Sequence, residues 1–364
     1  MGALGFGVQD RRLSPMEPSK LEFLTELLTA PGPSGFETRA ARVWLEEATS
    51  FAAISSDHHG NAYATINPDA PLRVMLVGHI DEIGLMVTHV DNEGFVYFAQ
   101  LGGWDARVLV GQRVRVLAQS GDLIGVIGIK PPHLMTADEK GKNTTLDDLW
   151  MDLGLEPDGV KAKVRVGDVA VIEQPPMQLG TRLVSKALDN RVGAFIVLEA
   201  LRRLKALGCA HAVTALAASQ EEIGSYGARI ATFTLEPHAA LVVDVTHETK
   251  QPGVSVKRLN DVPFGSGANL TISALTNPSI NRALQEIAVA KEIKLTLSAD
   301  PTVTGTDADQ VTIARAGVPG AVLSVPLRYM HSPVEMVDLR DVEAVIALMV
   351  AYVMQLPANA QFPR

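Results

Sequence analysis

A chain of 364 residues that is 47% hydrophobic and 20% charged can bury one large core or two ordinary ones, which excludes an intrinsically disordered protein. Its net charge is -9 and no Lys/Arg run exceeds two residues, which argues against nucleic-acid and anionic-membrane partners. The one cysteine, Cys209, cannot pair within the chain, and no stretch approaches the ~18 apolar residues of a membrane span, so a soluble cytoplasmic protein is expected. The opening MGALGFGV lacks a basic flank and a cleavage pattern and does not read as a signal peptide, and Phe6 stands where a myristoylation motif needs Ser or Thr.

Along the chain, SKLE from Ser19 and SGFE from Ser34 each place a Glu three residues after a Ser, the pattern of a capping box, ahead of helices ending near Ala30 and Ala48. Residues 72–81, LRVMLVGHID, form an apolar run of strand length, as in a strand covered on both faces. From 84 to 176 the texture becomes β-rich, with turns at DNEG and SGD, a half-exposed strand in VKAKVRVGDVAVIEQ and a short helical piece in TLDDLWMDLG. This stretch reads as a small β-barrel inserted into another domain.

After it, strand and helix alternate. A helix at 190–208 ends in Gly208, strands follow at 212–219 and 239–246, and Asn277-Pro278 opens another helix. AVLSVPL is strand-like and DLRDVEAVIALMVAYVMQL is a long final helix. The expected fold is therefore α/β: a mostly parallel central sheet with helices on both faces, built from 1–83 and 177–364 and interrupted by the β-rich insert 84–176. Ligands of such sheets sit beyond the carboxyl ends of the strands.

The chemically suggestive residues lie there. His79 and Asp81 in GHID are two apart, so Asp81 can hydrogen-bond the back of the His79 ring and fix its tautomer; otherwise His79 simply ends a strand. Asp244, inside a run of Val, needs a cation or several donors unless it is already at a wet loop. Asp189 directly precedes a helix, where capping is the ordinary role. His331 follows a strand as a loop histidine. Glu221 and Glu222 end an apolar run side by side; they can face one site only if the chain turns, as Gly224 and Gly227 suggest. One could then bind a metal while its neighbour takes a proton from a metal-activated water. Two His, two Asp and two Glu without cysteine suit Zn²⁺, Co²⁺ or Mn²⁺ in a catalytic rather than a structural site. HETKQ at His247 lacks the second histidine of a zinc helix, GSGANL lacks a dinucleotide fingerprint, and no serine sits in a nucleophile elbow. His58, His59, His89, His133, His211 and His238 are read as structural or exposed.

In order, the segments GHIDEIGLMV, ALDNRVG, SQEEIGSYGA, VVDVT, TGTDAD and RYMHSPVE resemble the tetrahedral aminopeptidases, two-metal exopeptidases that include glutamyl and leucyl aminopeptidases. APGPSGFE also resembles that family's opening, and the likeness spans roughly residues 27 to 350. The resemblance implies a zinc-exopeptidase-like fold and two divalent ions per subunit, zinc or cobalt. It implies that His79 and Asp244 bind one ion, Glu222 and His331 the other, and that Asp189 bridges them. Glu221 would be the general base and Asp81 the residue orienting His79. A non-proline cis peptide after Asp189 is implied, as are peptide substrates with a free N-terminus. The insert would be a dimerisation domain, with dimers assembling to a dodecamer. Two other enzyme classes remain open: a metal-dependent deacylase of N-acyl amino acids, which could use a similar two-metal site, and a glycoside hydrolase using paired carboxylates.

Overall fold

The computed structural model describes residues 16–364, so the readings of MGALGFGV fall outside the described residues. Seventeen strands follow one another among eleven α-helices. The first three are β1 (Ala53–Ser56), β2 (Ala62–Ile66) and β3 (Arg73–His79). The next six are β4 (Gly84–Val90), β5 (Val96–Leu101), β6 (Arg113–Ala118), β7 (Gly121–Ile129), β8 (Leu149–Asp152) and β9 (Val169–Ile172), and they close into a barrel in the order β4-β5-β8-β7-β6-β9. The rest are β10 (Met177–Leu179), β11 (Arg182–Ser185), β12 (Ala212–Ala218), β13 (Ala239–His247), β14 (Ala268–Ser273), β15 (Leu295–Asp300), β16 (Gly320–Arg328) and β17 (Glu335–Asp338). With β1 to β3 they make an eleven-stranded sheet, ordered β1-β2-β12-β3-β13-β16-β17-β11-β10, with β14 and β15 branching from β16.

The centre of this sheet, β12-β3-β13-β16, is parallel, and antiparallel strands extend it on both sides. Its strands are buried because helices cover both faces, which is why they read as unbroken apolar runs. Successive residues of β3 point to opposite sides. Val74 and Leu76 enter the core shared with helices Pro18–Thr29, Leu188–Ala206 and Leu339–Gln355, while Met75 and Val77 enter a second core with helix Tyr226–Leu235. The barrel has its own core around Val96, Val114, Ile127 and Met151. No helix among the described residues is long and apolar enough to cross a membrane.

Two contacts bring the site together. The first is the approach of helix Leu188–Ala206 to β3 at Gly78, where a Cβ would lie 2.4 Å from the Gly193 carbonyl carbon. Only a residue without a side chain permits that approach, and it carries Asp189, at the start of the helix, to His79. The second is Arg191, fully buried, whose guanidinium donates to the carbonyls of Leu27 (2.8 Å), Ala30, Gly32 (3.4 Å) and Ile80 (3.1 Å) and to Glu82 Oε1 (2.9 Å). Lys186 Nζ completes the group, 2.6 Å from Glu82 Oε2. These bonds tie the end of the first helix to the edge of the site.

Several local expectations give way to tertiary structure. The first helix starts at Pro18 behind Glu17, so Ser19 lies inside it and caps nothing. The second starts at Thr38, and the side chain of its N-cap residue, Glu37, makes no capping bond. VKAKVRVGDVAVIEQ is not one strand: its start closes helix Pro157–Lys163, and β9 is wholly buried as a barrel stave. TLDDLWMDLG becomes a 3₁₀ turn followed by β8, because Leu149 and Met151 are needed in the barrel core. By contrast, Asn277 Oδ1 accepts from the Ser279 and Ile280 amides as an N-cap, and Gly208 follows the 188–206 helix with φ +72°.

Gly78→Ala tests the closeness of the helix to β3. Overpacking against backbone costs about 1–3 kcal/mol or more, so the variant is expected to melt at least several degrees lower than the wild type. Unchanged thermal stability would show that the contact is not tight.

Candidate metal centre

The site forms where the parallel strands end. Ala218, last of β12, is in register with His79, last of β3. Beyond it the chain turns through Gln220, which takes a left-handed φ of +56°. That conformation is unfavourable by about 1–2 kcal/mol for a residue with a Cβ. The Glu221 carbonyl then accepts from the amides of Gly224 and Ser225, each 2.9 Å away. Gly227 is forced to be glycine, since a Cβ would lie 2.3 Å from the Ser219 carbonyl oxygen. This turn lets two adjacent glutamates serve one site.

Six of the expected groups converge. His79 Nε2 lies 3.2 Å from Asp189 Oδ1 and 3.8 Å from Glu221 Oε2. His331 Nε2 lies 3.4 Å from Asp189 Oδ2 and 3.3 Å from Glu222 Oε2. The two oxygens of Asp189 thus face two different imidazoles. Three sets have ligand atoms within 4.8 Å of one another: His79, Asp189 and Asp244; Asp189, Glu222 and His331; and His79, Glu221 and Glu222. Asp81, the seventh candidate, stands behind His79 with Oδ1 3.3 Å from Nδ1. The Asp189–Asn190 peptide is cis, and Asp189 faces the histidines rather than capping its helix. The histidines read as structural or exposed enter no such set among the described residues; His211 Nε2, for example, lies 2.9 Å from the Leu356 carbonyl.

The charge balance is lopsided. Burial and the neighbouring carboxylates Asp244, Asp307 and Glu222 push the Glu221 carboxyl up to about 10. Burial likewise holds Asp244 well above the usual carboxylate range; its one hydrogen bond comes from the Val245 amide, 2.8 Å away. Asp307 is buried with only the Ser225 hydroxyl close enough to favour its charged form, and burial lifts it to about 7. The imidazoles compensate: burial opposes their charge, but bonds to Asp189 and Glu222 lift His331 to about 11, and Asp189 and Asp81 hold His79 well above its ordinary value. The nearby cations Lys186 and Arg191 are already paired with Glu82.

This donor set fits divalent cations. Two ligand atoms each ~2.1 Å from one tetrahedral ion lie about 3.4 Å apart, and the His79–Asp189, His331–Asp189 and His331–Glu222 separations of 3.2, 3.4 and 3.3 Å match that spacing. An excess of buried carboxylate over buried cation is the electrostatic counterpart of the same fit.

Further contacts, some from residues the sequence reading gave no role, support these groups. Glu335 is buried and accepts from the Asp189 amide (3.0 Å) and the His331 amide (2.8 Å), fixing two elements at once. Its place four residues after His331 in RYMHSPVE was the available signal. Asp81 accepts from the amides of Glu221 (3.0 Å) and Glu222 (3.1 Å) and from the Ser34 hydroxyl (2.6 Å). The barrel also reaches in: a Cβ on Gly103 would lie 3.1 Å from His331 Nδ1. Beside it a cavity of about 840 Å³ runs from His331 between Trp104, Leu146 and Tyr329.

The sequence pattern of the M42 glutamyl aminopeptidases matches residues 60–348. The chain belongs to this family. Among its M42 relatives, the lysyl aminopeptidase of Pyrococcus furiosus is 34% identical over 92% of this chain and 97% of that protein. A TET aminopeptidase from the marine sediment archaeon Thaumarchaeota archaeon SCGC AB-539-E09 superposes with a TM-score of 0.88 at 32% identity, covering 93% of this chain and 96% of that one. The Pyrococcus horikoshii TET1 peptidase, which can assemble into a tetrahedron or a large octahedral shell, superposes with a TM-score of 0.82 at 29% identity over 93% and 100% of the two chains. This M42 protein is therefore an aminopeptidase by family, with the α/β-plus-barrel architecture of the TET enzymes.

A ligating histidine must be neutral, so a cation held by His331 would have to displace the proton whose affinity the neighbouring Asp189 and Glu222 raise to about 11. Titrating Zn²⁺ into metal-free protein at pH 7 is expected to release roughly one proton or more per subunit, with affinity falling as the pH is lowered. Calorimetry in buffers of different ionisation enthalpy measures this, and His331→Ala is expected to lower both the affinity and the number of protons released; binding unchanged in that variant contradicts the expectation.

Proposed function

We propose that the chain removes N-terminal residues from peptides at a centre of two divalent cations, with Glu221 as the general base. The observation that carries this reading is the placement of Asp189, one oxygen toward His79 and the other toward His331, with Glu221 Oε2 3.8 Å from His79 Nε2. His79 and Asp244 would hold one cation, Glu222 and His331 the other, and Asp189 would be shared; zinc and cobalt suit these nitrogen and oxygen donors. When bound, such a pair supplies a water acidified toward neutral pKa and a polarised substrate carbonyl.

The remaining work falls to the side chains. Glu221 takes a proton from the attacking water and gives it to the nitrogen of the departing peptide. Burial raises its proton affinity, and the positive charge of two bound cations would lower it again, leaving a carboxylate that can take the proton. Ser225 Oγ, 3.3 Å from Glu221 Oε1, steadies the carboxylate, and Asp81 holds the His79 ring from behind. The surplus negative charge around Glu221, Asp244 and Asp307 favours a substrate that arrives with a free ammonium group.

For assembly, the barrel is the proposed dimerisation unit. Ile124 and Val126 of β7 are exposed at 49% and 47%, an apolar surface that a second copy would cover, and dimers would build a dodecamer as TET peptidases build shells. A cytoplasmic setting suits the buried, unpaired Cys209.

Glu221→Gln should retain two cations per subunit while kcat on aminoacyl substrates falls by ~10²–10⁴, and exhaustive dialysis against EDTA should abolish wild-type turnover. Metal analysis beside kinetics, on free-amine and N-acylated substrates, checks this. Full activity in the variant removes Glu221 from the role, and preference for acylated substrates moves the reading to a deacylase.

A further inference from the structure

The segment Pro33-Ser34-Gly35-Phe36-Glu37 does not perform the capping its pattern suggests. Both polar side chains are buried, Ser34 at 1% and Glu37 at 3% exposure, and both turn away from the helix that follows. Ser34 donates to Asp81, while Glu37 Oε1 accepts from the Gly35 amide (2.6 Å) and, across 183 residues of sequence, from the Gln220 amide (3.1 Å). The segment is itself pinned against the site edge, since the Ser34 amide donates to the Glu82 carbonyl (3.3 Å) and the Glu82 amide to the Gly32 carbonyl (3.0 Å). Three consecutive amides, of Gln220, Glu221 and Glu222, therefore end on two buried carboxylates, Glu37 and Asp81.

We propose that Glu37 is a positioning residue for the paired glutamates: by holding the Gln220 amide it keeps that residue left-handed, and so aims Glu221 and Glu222 into the centre. Asp81 grips the two amides downstream of the bend and Glu37 grips the bend itself. Without the Glu37 acceptor, the half-buried Gln220 amide loses its partner, and its left-handed backbone loses the contact that compensates it. The turn then relaxes from Gln220 onward, so Glu221, the next residue, is displaced most, while Glu222, one residue further along, and the groups that Glu335 holds stay in place. This inference rests on the reading of Glu221 as the base.

The test uses Glu37→Leu, which removes the acceptor, and Glu37→Gln, whose amide oxygen keeps it. In metal-free protein, hydrogen exchange at the Gln220 amide is expected to quicken at least tenfold in Glu37→Leu and little in Glu37→Gln, with β12 unchanged. In cation-loaded protein, Glu37→Leu is expected to lose tenfold or more in kcat with KM and metal content near the wild type, and Glu37→Gln to retain most turnover. Adding Gln220→Gly to Glu37→Leu should restore kcat, because glycine takes positive φ unaided; a residue that only stabilised the fold would not be rescued this way. Unchanged exchange at Gln220, or wild-type kcat in Glu37→Leu, overturns the proposal. Quickened exchange in a protein whose wild type hydrolyses no peptide keeps the tether and overturns the reading of Glu221 instead.

Discussion

The arrangement depends on one carboxylate shared between two imidazoles. Asp189 is buried, yet His331 and His79 on its two oxygens hold its carboxyl below the usual range. Its neighbours Asp244, Glu221, Asp307 and Glu335 are all pushed the other way by burial and mutual repulsion. A fold does not gather so much like charge in one place for stability, because each unpaired buried carboxylate costs several kcal/mol of solvation. The cluster is explicable as a place prepared for compact positive charge, and the backbone around it is organised to tolerate the wait.

That organisation is mostly main chain. Glu335 takes the amides of Asp189 and His331, Asp81 takes those of Glu221 and Glu222, and Glu37 takes that of Gln220. Each of these three carboxylates spans segments distant in sequence, so the candidate ligands are placed by their backbones rather than by flexible side chains. The left-handed residues Gln220, Tyr329 and His331 mark where the chain departs from regular structure to meet these demands. The barrel adds to the same wall through Gly102 and Gly103, where a side chain would press on Ile83 and His331.

The strands that end at the site were legible in sequence because both of their faces are covered: LRVMLVGHID and AALVVDVT have no solvent face to interrupt the apolar run. The candidate residues were legible for a related reason, since a charge such as Asp244 at the end of such a run has no ordinary explanation. Other parts were hidden. The short strands β1 and β10 at the sheet edges, and β17 between β16 and β11, carry too few apolar residues to stand out, and β8 looked helical because DDL preceded it. Ser34 and Glu37 matched a local capping pattern whose side chains are engaged elsewhere, at partners 47 and 183 residues away. Asp307 sits in TGTDAD beside Asp309, whose carboxylate is consumed by Thr304 and Gly305 within its own loop; nothing local distinguishes the two.

The central claim is that Asp189 lies between two cation positions. Crystals of zinc-loaded protein, measured on both sides of the zinc absorption edge, answer it directly. The account predicts two anomalous peaks per subunit about 3.5–4 Å apart, one beside His79 and Asp244 and the other beside Glu222 and His331, with an Asp189 oxygen toward each. A single peak, or peaks remote from Asp189, would contradict it.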